Sequence, residues 1–110
     1  MRLFRIMVYL FIDTKDSKNI TAKLEVEGQV YSENSTDEDN RPESILLLID
    51  KLLTKAGKEK GDIDEIKVEE GPGSYTGLKV GASVANALSF SLGKRVNGKP
   101  LGEIVEPTYQ

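Results

Sequence analysis

The sequence predicts an α/β fold in which a mixed sheet starts with three antiparallel strands and carries two packed helices. Residues 4–12 form an apolar run, and residues 20–26 alternate between apolar and polar side chains before a short turn into residues 29–32. Two later segments, 41–56 and 76–92, have helical periodicity and are joined by a short strand-like stretch. A chain of 110 residues is long enough for one domain with its own core.

The first three predicted strands differ in how their side chains are distributed. The run at residues 4–12 is apolar on both alternating faces, which predicts a central strand covered on each side. The next strand is half-buried, with one apolar face made of Ile20, Ala22, Leu24 and Val26. Glu27-Gly28 then provides a tight turn into Gln29-Val30-Tyr31-Ser32, so these segments are expected to form a hairpin.

The first helix is predicted over residues 41–56, with Pro42 in its first turn and Gly57 after its end. Its apolar side chains form an arc wider than packing on one sheet requires. The arc consists of Ile45, Leu46, Leu48, Ile49, Leu52, Leu53 and Ala56, and Leu47 falls outside it. The surplus leucines Leu46, Leu47 and Leu53 predict a face that contacts a neighbouring helix or a partner.

The second helix, residues 76–92, is apolar on two opposite faces and carries no charge from Val80 to Gly93. A small domain covers one such face with its sheet, which leaves part of the other face for the first helix and a second chain. Gly81 and Ala85 form a small-x-x-x-small step, which predicts a close helix contact. Ile63, Ile66 and Val68 mark the strand that leads into this helix.

A glycine-rich turn is predicted between that strand and the second helix, and it consists of Gly71, Pro72, Gly73, Ser74, Tyr75, Thr76 and Gly77. The glycines on either side of Pro72 allow the backbone to turn sharply. The spacing fits neither a Walker loop, since Leu78 separates Gly77 from Lys79, nor a dinucleotide fingerprint, whose sixth place is Thr76. We therefore interpret the segment as a structural turn in which Ser74 or Thr76 caps the helix, with phosphate binding as the alternative.

Composition excludes several function classes. The chain has no Cys and no His, which excludes thiol nucleophiles, imidazole chemistry and the usual zinc sites, and Ser74 has no protease partner. A net charge of −3 argues against direct tRNA binding.

The acidic segment 33–40 predicts a loop, with a carboxylate metal site as the less favoured alternative. The apolar run after Arg5 is too short for a membrane span and predicts a cytoplasmic protein.

The segment Gly71 to Gly81 resembles the signature of the TsaB family, whose members act in threonylcarbamoyladenosine synthesis on tRNA. The family's hydrophobic strand ending in Asp-Thr is matched by Leu10 to Thr14, and its helix and second strand by residues 45–56 and 62–66. The resemblance implies a single lobe of the actin-like ATPase (ASKHA, ribonuclease H-like) fold. Residues 1–110 are expected to be one TsaB-like N-terminal lobe, with the family's second lobe absent.

The resemblance further implies a non-catalytic scaffold that binds the catalytic subunit TsaD, with ATP and metal on TsaD and none in this chain. TsaE and TsaC act in the same pathway, and tRNA is contacted only indirectly. The expected interface, also used for a homodimer when the chain is alone, lies on the two helices: Leu46, Leu47, Ile49, Asp50, Leu53, Ala82, Ser83, Asn86 and Phe90.

Two alternatives to the scaffold remain open at this point. The first is a nucleotide-binding actin-like enzyme that uses Asp13 and the glycine turn, and the second is a stand-alone homodimer with an unrelated partner. Residues 100–105 predict a last strand, and the ending Glu106-Pro107-Thr108-Tyr109 resembles an element near the end of longer relatives. A chain that lost the second lobe and kept that strand is therefore expected.

Overall fold

A mixed sheet of five strands, in the order β3-β2-β1-β4-β5, forms the centre of the protein in a computed structural model. The structure describes residues 6–16, 18–35 and 41–108. The elements in chain order are β1 (Val8–Asp13), β2 (Ile20–Val26), β3 (Gln29–Ser35), α1 (Pro42–Ala56), a short 3-10 helix (Lys60–Asp62), β4 (Glu65–Val68), α2 (Tyr75–Leu92) and β5 (Arg95–Val96).

The first three strands form the predicted antiparallel meander. β1 pairs with β2 so that Val8 faces Val26, and β2 pairs with β3 through a two-residue turn. Both turn residues have positive φ, 52° at Glu27 and 79° at Gly28, as the favoured hairpin turns require. β4 and β5 are added in parallel on the other side of β1. The predicted mixed sheet is confirmed.

The core lies on one face of the sheet, between the strands and both helices. β1 contributes Val8, Leu10 and Ile12 to it, and these residues are at most 2% exposed. Tyr9 and Phe11 alternate with them and are only half-buried. The prediction that the first strand is covered on both faces is therefore wrong, because α1 and α2 pack together against the same face.

The helix ends follow the signals in the sequence. Pro42 is in the first turn of α1, and Gly57 ends the helix in the left-handed conformation at φ 66°. Ser74 caps α2 by accepting a hydrogen bond from the backbone amide of Gly77 at 3.2 Å. The helix bounds differ from the predicted ones by one residue at each start.

The last strand is placed differently from the prediction. Residues 100–105 form no strand, and the fifth strand is the short β5. It ends at Val96, and the side chain of the next residue, Asn97, continues the pairing with β4: its Oδ1 accepts from the Val68 amide at 2.8 Å, and its Nδ2 donates to the Val68 carbonyl at 3.0 Å. Asn97 and Gly98 then form the predicted turn, both with positive φ.

The third strand is longer than predicted and includes Glu33, Asn34 and Ser35, which were expected to begin an acidic loop. Lys55 of α1 donates a hydrogen bond to the Glu33 carboxylate and thereby holds the pKa of that carboxyl below its ordinary value. The acidic residues 37–39 lie outside the described residues. In the described ranges, no group of acidic side chains could hold a metal ion.

Candidate partner-binding surface

The end of β1 is locked to the start of α2 through Thr14. This side chain is fully buried, and its hydroxyl donates a hydrogen bond to the Gly77 carbonyl at 2.6 Å. A Cβ at Gly77 would lie 2.1 Å from the Thr14 carbonyl oxygen, and a Cβ at Gly81 would lie 2.2 Å from the Thr14 hydroxyl. Gly81 therefore makes its close contact with the end of a strand, which corrects the predicted helix contact.

The glycine-rich turn packs closely against neighbouring backbone. A Cβ at Gly73 would lie 2.9 Å from the Lys15 carbonyl oxygen, which also accepts a hydrogen bond from the Ser74 amide at 2.8 Å. Gly71 has φ 103° and lies against the Thr108 carbonyl. Close packing and positive φ explain why glycine is needed at these positions.

The turn itself is shorter than the predicted segment 71–77. Its bend lies at Pro72 and Gly73, whereas residues 75–77 already belong to the first turn of α2. The Pro72 side chain is exposed, and the peptide bond that joins Pro72 to Gly71 is cis. Pro72 is thus an exposed residue of the bend, and the close contacts that hold this segment are made by its glycines and its capping serine.

Asp13 lies on the open face of the sheet, and its carboxylate accepts a hydrogen bond from the Lys15 amide at 3.1 Å. It lines a shallow depression together with Phe11, Ile12, Thr21, Lys23, Lys67, Val68 and Glu69. The residues of the glycine turn do not line this depression. The structure thus brings Asp13 together with two lysines and does not combine it with the turn in one pocket.

Four of the residues predicted for partner binding or helix contact are core residues. Ile49 and Ala85 have no exposed surface, and Leu53 and Ala82 are each 4% exposed. All four pack in the cluster between the helices and the sheet. These positions are corrected to core packing, because a partner could reach them only after the helices had separated from the sheet.

Asn86, also predicted for the interface, holds the C-terminal segment against α2. Its Nδ2 donates to the Val105 carbonyl at 3.1 Å, and its Oδ1 accepts from the Val105 amide at 2.9 Å. Val105 itself is 2% exposed and belongs to the core. Both ends of the Asn86 amide are thus engaged within the chain, and the half-buried side chain also lines a surface depression with Phe90, so its predicted place at an interface stays a prediction.

The remaining predicted interface residues lie in two places on the surface. In the first place, Leu46 and Ser83 line the cleft between α1 and α2, and Phe90 is exposed on α2. Leu47 and Asp50 line a separate depression with Glu33 and Lys55, beside β3. Leu47 is 62% exposed, so the surplus leucine of the helix pattern is a surface residue.

An uncharged groove runs between the two helices, and Phe90 follows one of its lining residues, Ala87, by three positions on α2, which places the two side chains on neighbouring parts of the helix surface. The groove is lined by Pro42, Leu46, Ser83, Val84, Ala87, Leu88 and Ser91, none of which is ionisable. Phe90, on α2, is 90% exposed. We call this groove together with Phe90 the outer helix surface.

A second depression continues from Phe90 towards the C-terminal segment. Leu101 and Ile104, which are 61% and 58% exposed, line it together with Phe90. Leu101 and Ile104 were not predicted for a surface site, because residues 100–105 were predicted to form a strand. Ala87 was not predicted for it either, although the uncharged run of the second helix includes this residue.

Comparison with known proteins identifies the family. The model of the family described as "TsaD: tRNA N6-adenosine threonylcarbamoyltransferase" matches residues 36–98, more than half of the chain. Over 50 residues, or 46% of the chain, the sequence is 52% identical to the tRNA N6-adenosine threonylcarbamoyltransferase of Ralstonia pickettii. Over 84 residues, or 76% of the chain, it is 31% identical to the tRNA threonylcarbamoyladenosine biosynthesis protein TsaB of Haemophilus influenzae.

The fold has a close counterpart among solved structures. YeaZ from Pseudomonas aeruginosa superposes with a TM-score of 0.76 and 27% identity, over 82% of this chain and 42% of that one. The chain matches only part of each relative: 14% of the Ralstonia protein and 35% of the Haemophilus protein. The expected actin-like fold is confirmed by this match. The chain belongs to the family that the TsaD model describes, and within it the sequence and the fold are TsaB/YeaZ-like.

Proposed function

We propose that this chain is a non-catalytic scaffold that binds TsaD through the outer helix surface in the synthesis of threonylcarbamoyladenosine on tRNA. The similarity to TsaB and to TsaD-type transferases supports the pathway. Because the chain matches only part of those relatives, its place in the pathway and its partner are inferences. The exposure of Phe90 beside an uncharged groove is the observation that carries the inference about the surface.

The chemistry of the outer helix surface favours a protein partner. An exposed aromatic side chain next to an apolar cleft is typical of the anchors that contribute most to protein–protein binding. The described lining of the groove has no acidic or basic side chain that could activate its two serine hydroxyls, Ser83 and Ser91, for attack on a substrate. In this proposal the ATP and the metal are bound by TsaD, TsaC and TsaE supply the other steps, and tRNA is contacted through the complex.

A groove between two helices can accept a row of apolar side chains from another pair of helices. Leu46 of α1 and Leu88 of α2 line it, and the small lining residues Ser83 and Ala87 allow a partner helix to approach closely. An open cleft lined by small residues on one helix is suited to the side chains of a second helix, by the ridge-and-groove packing seen between helices generally. The partner surface on TsaD is accordingly expected to be a pair of helices. In this proposal the complex forms in the cytoplasm.

Co-purification with the TsaD of the same organism tests the proposal. The Phe90→Lys variant removes the exposed anchor and is expected to retain about a tenth or less of the TsaD that the unchanged chain retains. Because Phe90 is 90% exposed, the substitution leaves the core unchanged. Thermal unfolding should confirm this by an unchanged midpoint.

Val30→Lys is the matched control, since it introduces the same charge at an exposed apolar position. Val30 is 54% exposed and faces Glu25, which places it on the open face of the sheet. The control should retain TsaD fully. Retention of TsaD by Phe90→Lys, or equal loss in both variants, would contradict the proposed surface.

A further inference from the structure

The depression on the open face of the sheet is lined by charges of both signs, and the proposed TsaD surface does not include it. It has a volume of about 350 Å³, which is within the range of small-molecule sites. The strand register places Phe11 between two lysines, because Lys23 of β2 and Lys67 of β4 are its neighbours in the sheet. The Phe11 side chain is half-buried, and Lys67 Nζ lies 5.6 Å from the centre of its ring.

A second row of polar side chains lies two residues further along the strands. Asp13 is paired with Thr21 of β2, and Glu69 extends β4 because its amide donates to the Ile12 carbonyl at 2.9 Å. Both acids line the depression together with the two lysines. The depression therefore has a basic row on either side of Phe11 and an acidic row next to it, at a backbone separation of about 7 Å.

The charged groups of both rows have hydrogen-bonding capacity left. Asp13 and Glu69 each accept one backbone amide through a single carboxylate oxygen, at 3.1 Å and 3.3 Å. Among the residues that the structure describes, the ammonium groups of Lys23 and Lys67 make no hydrogen bond or ion pair. One oxygen of each acid and both ammonium groups are therefore available to a ligand.

The presence of both signs selects against ligands of a single charge. A nucleotide would bring its phosphates close to the two carboxylates, and a polyamine would bring its positive charges close to the two lysines. A zwitterion avoids both repulsions. In a free α-amino acid the ammonium nitrogen and a carboxylate oxygen are about 3 Å apart. One charge-assisted hydrogen bond of about 2.8 Å at each end extends the span to roughly 8 Å, which is comparable with the separation of the two rows.

We propose that this depression binds a free α-amino acid, with its carboxylate between the two lysines and its ammonium group at the two acids. The half-buried Phe11 ring then provides an apolar surface for the side chain of the amino acid. The inference goes beyond the scaffold proposal and does not depend on it, because α1 and α2 pack on the opposite face of the sheet.

Titration with L-leucine, followed in amide NMR spectra of the isotope-labelled chain, tests the site. The amides of β1 and β4 around the depression should shift saturably, whereas those of α1 and α2 should not. L-Leucinamide lacks the carboxylate and N-acetyl-L-leucine lacks the ammonium group, so that each should bind at least ~3-fold more weakly than leucine at equal ionic strength. No saturable shift with leucine, or equal binding of the three compounds, would overturn the proposal.

Two charge variants connect each row to one end of the ligand. Lys67→Gln should weaken binding of leucine at least ~3-fold without weakening that of leucinamide, which has no carboxylate. Glu69→Gln should weaken binding of leucine without weakening that of N-acetyl-leucine, and it keeps the side-chain oxygen that accepts from the Gly71 amide.

Lys51→Gln is the matched control, because Lys51 is an exposed lysine of α1 on the other side of the sheet. It should bind leucine as the unchanged chain does, and the amide spectra of all three variants should show an intact fold. Equal weakening of all three compounds in both depression variants, or weakening in the control, would contradict the assignment of the two rows.

Discussion

Gly77→Ala is expected to lower the free energy of unfolding by about 3 kcal/mol or more. The added Cβ would lie 2.1 Å from the Thr14 carbonyl oxygen, and 3.3 Å from the carbonyl carbon. Both are backbone atoms at the end of the central strand, so that relief requires α2 to move away from β1. Such a movement would also lengthen the buried hydrogen bond from Thr14 to Gly77. Urea unfolding followed by circular dichroism measures the change as a lower transition midpoint.

Gly61→Ala provides the control for this experiment. Nothing lies within 4 Å of a Cβ at that position, and the backbone there is not in the left-handed region. Its free energy of unfolding should change by no more than about 0.5 kcal/mol. Equal stability of the two variants would show that the β1–α2 junction tolerates separation, contrary to the packing described above.

Ala85→Glu is the second substitution with a large expected effect, about 3–5 kcal/mol of lost stability. Ala85 has no exposed surface and lies in the apolar core, where a carboxylate would be desolvated without a partner. The expected result is loss of the cooperative thermal transition or a strongly lowered midpoint. Far-ultraviolet circular dichroism on heating provides the measurement.

Ala87→Glu, two residues later on the same helix, is the matched control, because it introduces the same charge on the surface instead of in the core. Ala87 is exposed and lines the groove of the outer helix surface. Ala87→Glu should keep a midpoint close to that of the unchanged protein while weakening retention of TsaD. A stable Ala85→Glu variant that fails to bind TsaD would instead place Ala85 in the interface and contradict its assignment to the core.

Much of the fold could be predicted because local signals act within a few residues of one another. The turns at Glu27-Gly28 and Asn97-Gly98, and the helix ends at Pro42 and Gly57, each depend on backbone preferences that the residue type sets directly. The last strand was misplaced because its position depends on Asn97, which pairs with Val68 across 29 residues of sequence. No local pattern encodes that contact.

The candidate site could be predicted only in part. The helical periodicity identified α1 and α2, but an arc of apolar residues does not specify which margin faces the sheet. Leu53 was therefore assigned to a partner from the arc, and Ile49 from the family resemblance, although both face the core. The predicted helix contact of Gly81 was wrong for a similar reason, because a small residue permits close approach by any neighbouring element. Here the neighbour is Thr14, 67 positions earlier in the chain.

Fluorine NMR during titration with TsaD tests the outer helix surface most directly. The chain has 3 Phe residues, so fluorophenylalanine labelling gives few signals, and Phe90→Leu and Phe11→Leu assign two of them. Phe90 is exposed on α2, whereas Phe11 lines the depression on the open face of the sheet. The scaffold proposal predicts that the Phe90 signal shifts or broadens as TsaD is added while the Phe11 signal stays constant. A response of Phe11 with an unchanged Phe90 signal would contradict it and place the partner on the open face.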